Sequence, residues 1–153
     1  MSELFGRRQK QSLFVLLFFI AGMIYVSMKQ DALSPEAQVR AAIDDMVRGA
    51  EEKDLDPFKK HLSEQVQDEQ GRNKDVLINT LRLIFIRHPH ISLHLLDLNV
   101  SDSTNPDVIS SSLTLLMGET LLPSDKGNFF LTFRREGDVW RVWELRWDGG
   151  YGY

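Results

Sequence analysis

The sequence predicts an α+β domain that follows one membrane-spanning helix. Three observations support this: an uncharged apolar stretch at residues 13–28, apolar side chains with helical spacing between residues 34 and 87, and a change to a period of two from residue 91 onward. Helices followed by a run of strands with short connections are typical of an antiparallel sheet with helices packed on one face. We therefore expect three helices and a curved antiparallel sheet of about four strands.

Residues 12–28 form the predicted membrane anchor. The segment LFVLLFFIAGMIYVSM contains no charge and no proline, and with Ser12 it has 17 residues, which is at the short end of the roughly 17–25 that a spanning helix needs. Basic residues precede it and acidic residues follow it. The positive-inside rule then predicts a cytoplasmic tail at 1–11, a linker at 29–33 and an extracytoplasmic (periplasmic) domain on the inner membrane.

A cleaved secretory signal is the alternative interpretation of this apolar stretch. Such signals carry an apolar run of about 7–15 residues, followed by small residues at the cleavage site. The run here is longer, and the small residues Ala32 and Ser34 are followed directly by Pro35. We therefore expect an uncleaved anchor.

Composition limits the classes of partner that the domain can bind. The formal net charge is −4 for the whole chain and +3 for residues 1–30, so the remainder carries −7. Nucleic-acid binding requires clustered Lys and Arg, and we expect no nucleic-acid partner. The absence of cysteine excludes disulfides, thiolate chemistry and Cys-ligated zinc.

Three helices are predicted between residues 34 and 87. The first begins at Ser34-Pro35, an N-cap followed by proline at the first helical position, and continues to about Lys53. The second covers residues 54–67, and the third covers residues 73–87. The first helix has one apolar stripe that predicts its buried face: Val39, Ala42, Ile43, Met46, Val47 and Ala50.

Four strands are predicted after the helices. They cover residues 91–101, 108–119, 128–136 and 139–148. The last two are separated by Glu136-Gly137-Asp138, a tight hairpin in which glycine can adopt positive φ. Residues 149–153 form a short C-terminal tail.

Residues 34–148 resemble the nuclear transport factor 2-like superfamily, a cone-shaped fold shared by SnoaL-like polyketide cyclases, ketosteroid isomerase and many bacterial binding modules. The resemblance rests on the segments GAEEKDLDPFKKHLSEQV, EQGRNKDVLINTLRLIF and NFFLTFRREGDVWRVWELRWD. Within them, the matching features are Asp54-Leu55, Gly71-Arg72 and the Arg-x-x-Gly-x-x-Trp-Arg-Val run that ends at Val142. The resemblance implies a pocket on the concave face of the sheet and, often, a dimer through its outer face.

The last strand supplies the candidate binding residues. Strict alternation places even-numbered and odd-numbered residues of this strand on opposite faces. By the resemblance, the even-numbered residues, from Trp140 to Arg146, face the helices and the pocket. The pocket candidates are Trp140, Glu144 and Arg146. The candidates for a partner or self-association surface are Trp143, Leu145 and Trp147, on the opposite face; coverage of this face by the chain's own tail or loops is the alternative.

Candidate catalytic and metal-binding residues are few. Asp97 interrupts an apolar run, and a carboxylate in an apolar cavity can act as a general base with a raised pKa. It is a weak candidate because Asn99 continues the same face. His90 and His94 would lie roughly 13 Å apart along a strand, which is too far to share one zinc ion. We expect no metal site and no cofactor.

The leading hypothesis is a membrane-anchored, extracytoplasmic, non-catalytic binding or scaffold module. It would bind a protein partner or a small apolar ligand, as a homodimer or as an accessory subunit of a membrane complex. The alternative is a SnoaL-like isomerase or cyclase that acts in the cone pocket. That alternative needs a carboxylate or tyrosine deep in the cone, whereas the three tyrosines are Tyr25, Tyr151 and Tyr153.

Overall fold

The structure is a computed structural model that describes residues 33–119 and 125–148. Its elements are α1 (Pro35–Glu52), α2 (Asp56–His61), β1 (Leu62–Asp68), α3 (Lys74–Arg87), β2 (Ser92–Asp102), β3 (Val108–Gly118), β4 (Asp125–Glu136) and β5 (Val139–Asp148). Within this part of the chain, no helix is long and apolar enough to cross a bilayer. The predicted tail 1–11, the span 12–28, most of the linker 29–33 and the tail 149–153 lie outside the described residues and stay predictions.

Helix α1 confirms the first predicted helix. It begins at Pro35, and Val39, Ala42, Ile43 and Met46 of its apolar stripe are buried. The helix ends where Lys53 adopts φ 56°. Gly49 lies against the start of α2, and a Cβ at this position would come 2.8 Å from Pro57 Cγ, so only glycine allows this close approach.

The second predicted helix is wrong beyond residue 61. Helix α2 ends at His61, and the chain continues directly as β1, which pairs in parallel with β5. Leu62 and Val66 are both buried. A spacing of four places two residues on one face of a helix and also on one face of a strand, so periodicity could not distinguish the two. The edge of β5 then supplies hydrogen-bond partners that favour the strand.

Helix α3 confirms the third predicted helix and its cap. Asn73 Oδ1 accepts a hydrogen bond from Val76 N at 3.2 Å, which satisfies one of the free donors at the helix start. Leu77, Ile78 and Phe85 are the buried residues of this helix.

The sheet has five strands in the order β1-β5-β4-β3-β2 and is mixed, not wholly antiparallel. The four predicted strands are present, and β1 is the additional strand. We call the side of the sheet that packs on the helices the inner face and the opposite side the outer face. Phe133 and Val142, which are 0% exposed and paired across β4 and β5, lie at the centre of the core with α1 residues Val39 and Ile43.

Candidate functional site

A β-bulge in β5 changes which side chains face the helices. Phe133 pairs with Val142, but the next residue back, Thr132, pairs with Glu144, so Trp143 is the extra residue. A bulge of this kind reverses the alternation of the residues beyond it. The sequence-based assignment of faces is therefore wrong after residue 142.

Glu144 and Arg146 consequently lie on the outer face, not in the pocket. Glu144 pairs with Thr132, and Arg146 pairs with Phe130. The Arg146 guanidinium carbon lies 4.7 Å from the centroid of the Phe130 ring. Trp140 does face the helices, but it is 4% exposed within the packed core, so it borders no opening.

The three candidate interface residues are divided between the two faces. Leu145 pairs with Leu131 and Trp147 pairs with Phe129, which places both on the inner face. Trp143 is on the outer face, where the Arg134 guanidinium carbon lies 4.0 Å from the centroid of its ring.

Asp97 is also placed on the outer face by a bulge. The register between β2 and β3 shifts between Leu95 and Asp97, and Asp97 pairs with Thr114. Its side chain is exposed. Because solvent reaches this carboxylate, it lacks the apolar surroundings that the general-base hypothesis required.

On β4 and β5, the inner face becomes more accessible toward the end of β5, whereas Leu113 and Leu115 of β3 stay buried at this end. On β4, Phe133 is fully buried (0%) whereas Phe129 is half-buried, and on β5 Val142 is fully buried whereas Trp147 is half-buried. Leu95, on the far strand at this end, is 37% exposed. We call the surface formed by Leu95, Leu98, Phe129 and Trp147 the open end; the buried residues Leu113 and Leu115 lie between the two pairs in the sheet. Residues 120–124 and 149–153, which adjoin it along the chain, lie outside the described residues.

A tight loop between β1 and α3 places a charged pair beside the open end. Asp68 Oδ1 accepts hydrogen bonds from the backbone N–H of Gln70 (2.9 Å) and Arg72 (2.8 Å), and Oδ2 accepts one from Arg72 Nε at 2.6 Å. Gly71 makes the turn with φ 72°, a conformation that favours glycine. The loop therefore closes around one carboxylate.

The hydrogen bonds keep Asp68 ionised although it is buried. Its side chain is 1% exposed, and burial alone raises the pKa of a carboxyl group. The bonds from the backbone and side chain of Arg72 outweigh burial, so the pKa of Asp68 is lowered from its usual value. An ionised carboxylate with three donors is a structural anchor for Arg72 and a poor general base.

Arg72 connects this loop to the open end. Its guanidinium carbon lies 4.8 Å from the centroid of the Trp147 ring, a cation–π contact. Its Nη2 atom is buried and has no hydrogen-bond partner. In the sequence, Gly71-Arg72 stands out only through the resemblance, and the spacing Asp-x-x-Gly-Arg is the available signal for a carboxylate-centred turn.

A second polar cluster joins α1 to the junction of α2 and β1. His61 Nε2 lies 2.8 Å from Asp45 Oδ2, and the hydrogen bond from His61 is the main reason that the pKa of Asp45 is lowered. Because Asp45 is a carboxylate, Nε2 donates and Nδ1 is the acceptor. Nδ1 is buried without a partner. Burial outweighs the bond to Asp45 and lowers the pKa of His61.

An open groove of about 670 Å³ between α2, β1 and α3 has a different character. Its lining is mainly charged, and Lys74 Nζ lies 2.5 Å from Glu64 Oε1 within it. Ile78 is its one apolar lining residue. The open end is therefore the better candidate for a ligand site.

Comparisons with known proteins identify the fold. No family model and no curated protein sequence matches the chain. An NTF2-like protein of unknown function from Pseudomonas putida is 13% identical, with 76% of this chain and 87% of that chain covered and a TM-score of 0.65. The hexachlorocyclohexane dehydrochlorinase LinA-type3 from Novosphingobium barchaimii is 11% identical, with coverages of 75% and 86% and a TM-score of 0.63.

Bd1075 of Bdellovibrio bacteriovorus is 12% identical with a TM-score of 0.62, and the match covers 75% of this chain but only 40% of Bd1075. Similarity at these identities shows the fold alone. The domain thus has the α+β cone fold of nuclear transport factor 2-like proteins, with a five-stranded mixed sheet.

Proposed function

We propose that the domain binds a small, largely apolar molecule at the open end of the inner face. The observation that carries this proposal is the change in exposure along the inner face, from fully buried Phe133 and Val142 to half-buried Phe129 and Trp147. Small-molecule sites are concave, mostly apolar and provided with a few polar groups. Arg72 supplies such a group beside Trp147.

The test uses the full chain in nanodiscs of zwitterionic lipid, with empty nanodiscs as the blank. The probe is β-naphthamide, a neutral two-ring aromatic, and its dissociation constant is measured by ligand-observed NMR. Burying one aromatic side chain against a ligand contributes about 1.5–3 kcal/mol, so Trp147→Ala should weaken binding by about tenfold or more. Trp143→Ala, on the outer face of the same strand, is the matched control and should leave binding within about twofold.

Two results would contradict the proposal. One is the absence of β-naphthamide binding by the native chain. The other is an equal loss of affinity in Trp147→Ala and Trp143→Ala, which would show that the probe does not distinguish the inner face from the outer face.

An enzyme that acts on the bound molecule is the second candidate function. One structural neighbour is a dehydrochlorinase, and the cone pocket is the natural place for such a reaction here. Among the described residues of the inner face, however, Asp68 is the charged carboxylate nearest to Arg72, and its oxygens already accept three N–H groups. Incubating the chain with cell-extract metabolites would test this function, because an enzyme depletes specific compounds catalytically and a binding protein does not.

We propose in addition that residues 12–28 anchor the domain to the inner membrane on its extracytoplasmic side. The support is the uncharged sequence of this segment and the basic residues Arg7, Arg8 and Lys10 before it. A reporter fused after Tyr153 should be active only outside the cytoplasm. Reporter activity in the cytoplasm would overturn the proposed orientation.

Self-association through the outer face also remains a proposal. Trp143 and Phe130 present aromatic rings there, each contacted by an arginine. Such side chains are enriched in protein interfaces. Sedimentation should give a dimer that Trp143→Glu dissociates, and a native monomer would rule the dimer out.

A further inference from the structure

We infer that Arg72 gives the open end a preference for molecules that carry a negatively charged oxygen, such as a carboxylate, next to an aromatic or apolar body. This inference rests on the proposed ligand site and specifies the chemistry of its ligand. It depends on three features of Arg72: its fixed orientation, its unpaired nitrogen and its contact with Trp147.

The orientation of Arg72 is fixed from behind by Asp68. The bond from Arg72 Nε to Asp68 Oδ2 is 2.6 Å long, and the Asp68 side chain is 1% exposed. A desolvated, charge-assisted bond of this kind is strong and directional. The guanidinium therefore has little of the rotational freedom that a surface arginine loses when it binds a ligand.

The unpaired nitrogen is the recognition group. Nη2 is buried and has no hydrogen-bond partner, while Nε of the same guanidinium is fully used by Asp68. A buried donor without an acceptor costs free energy, and an acceptor atom brought by a ligand removes that cost. The Arg72 side chain as a whole is 23% exposed, but Nη2 itself is covered. A ligand therefore reaches Nη2 by displacing the half-buried Trp147 ring that lies against the guanidinium.

The contact with Trp147 aligns the rest of the ligand. The guanidinium lies 4.8 Å from the Trp147 ring centroid, and Trp147 pairs across the sheet with Phe129. An oxygen bound at Nη2 therefore has two aromatic side chains beside it, suited to a flat apolar group.

Charge favours an anionic oxygen over a neutral one at this position. A hydrogen bond from a guanidinium to an ionised acceptor is roughly twice as strong as a neutral one. The backbone N–H groups of Gln70 and Arg72 share the negative charge of Asp68, so Asp68 does not fully cancel the field of the guanidinium. The charge of −7 on the domain acts at longer range, where salt screens beyond about 8 Å.

The experiment compares β-naphthoate with β-naphthamide, which have the same rings and differ in charge, on the full chain in nanodiscs of zwitterionic lipid. The native chain should bind β-naphthoate about tenfold more tightly than β-naphthamide. Arg72→Gln should reduce that ratio to about one while the affinity for β-naphthamide changes by less than about threefold. Arg146→Gln is the matched control, because Arg146 makes a similar stacking contact on the outer face at 4.7 Å, and the ratio should stay at its native value.

If Arg72→Gln fails to fold, the affinities of the native chain for the two probes still test the inference. A native chain that binds both probes equally overturns the charge preference and leaves the proposed ligand site intact. A native chain that binds neither probe overturns the proposed ligand site itself. In native protein labelled with ¹⁵N, β-naphthoate should also shift the Arg72 side-chain resonances more than β-naphthamide does, and equal shifts would contradict the role of Arg72.

Discussion

Removal of the Asp68 carboxylate should destabilise the domain by about 3 kcal/mol. Asp68→Ala leaves three N–H donors without their acceptor, those of Gln70 N, Arg72 N and Arg72 Nε. Breaking a fully buried charged pair costs about 3–5 kcal/mol. The lower end applies here because the Arg72 side chain is 23% exposed, so water can solvate part of the guanidinium.

Asp68→Asn should cost less than the alanine substitution. The amide oxygen can still accept the two backbone N–H bonds, and the loss is confined to the contact with Arg72 Nε, where the amide nitrogen, a donor, replaces the acceptor Oδ2. One such bond contributes about 1.5–3 kcal/mol. The order of stability is therefore native, then Asp68→Asn, then Asp68→Ala.

Urea unfolding followed by tryptophan fluorescence measures these differences in the full chain in nanodiscs. The matched control is Glu69→Ala, at the next residue, because Glu69 Oε1 lies 3.4 Å from Arg146 Nε in an exposed pair. Exposed pairs contribute about 0–1 kcal/mol. If Asp68→Ala destabilised the domain no more than Glu69→Ala, the loop would not be held by its carboxylate.

Three further changes test other parts of the structure. Burial lowers the pKa of His61, so the imidazole binds a proton less readily in the folded state than in the unfolded state. The stability that neutral His61 contributes is therefore present above pH 6.5 and lost as the pH falls below that value. His61→Asn should therefore reduce the loss of unfolding free energy between pH 7 and pH 5.5. The pKa of Asp45 is also lowered, so its stabilisation is fully present above pH 3.8 and is lost only as the pH falls below that value. Identical pH profiles of the native chain and His61→Asn would refute the role of His61. Gly71→Ala places a Cβ at φ 72°, where no atom outside the adjoining residues lies within 4 Å. The substitution should therefore lower the unfolding free energy by about 1 kcal/mol through backbone strain alone. An unchanged unfolding free energy would contradict the positive φ of this turn. Phe133→Ala should cost about 3–5 kcal/mol because the ring is fully buried, while Phe130→Ala on the outer face should cost clearly less, and equal unfolding free energies would contradict the assignment of faces.

The helices were predictable where capping residues mark their limits. Helix α1 begins at Pro35, and Asn73 caps the start of α3, as expected. Strand β1 was not predictable, because the even spacing of Leu62 and Val66 suits a helix and a strand equally. Its parallel pairing with β5 depends on residues about 80 positions away, which no local pattern records.

The candidate site could be predicted only in part, because two bulges decide which side chains face the cone. The extra residue in β5 turns Trp147 inward and Arg146 outward, and the bulge in β2 turns Asp97 outward. A bulge adds one residue without a composition signal of its own at these positions. Arg72 belongs to the Gly71-Arg72 feature of the family resemblance. Its role at the open end depends on its contact with Trp147, which strict alternation assigns to the opposite face.

The indole N–H resonances of the three tryptophans in a ¹⁵N-labelled chain most directly test whether a ligand binds at the open end. On addition of β-naphthamide, the resonance of Trp147 should shift as the site fills, and that of Trp143 should stay in place. A shift of Trp143 with none at Trp147 would contradict both the assignment of faces and the proposed site.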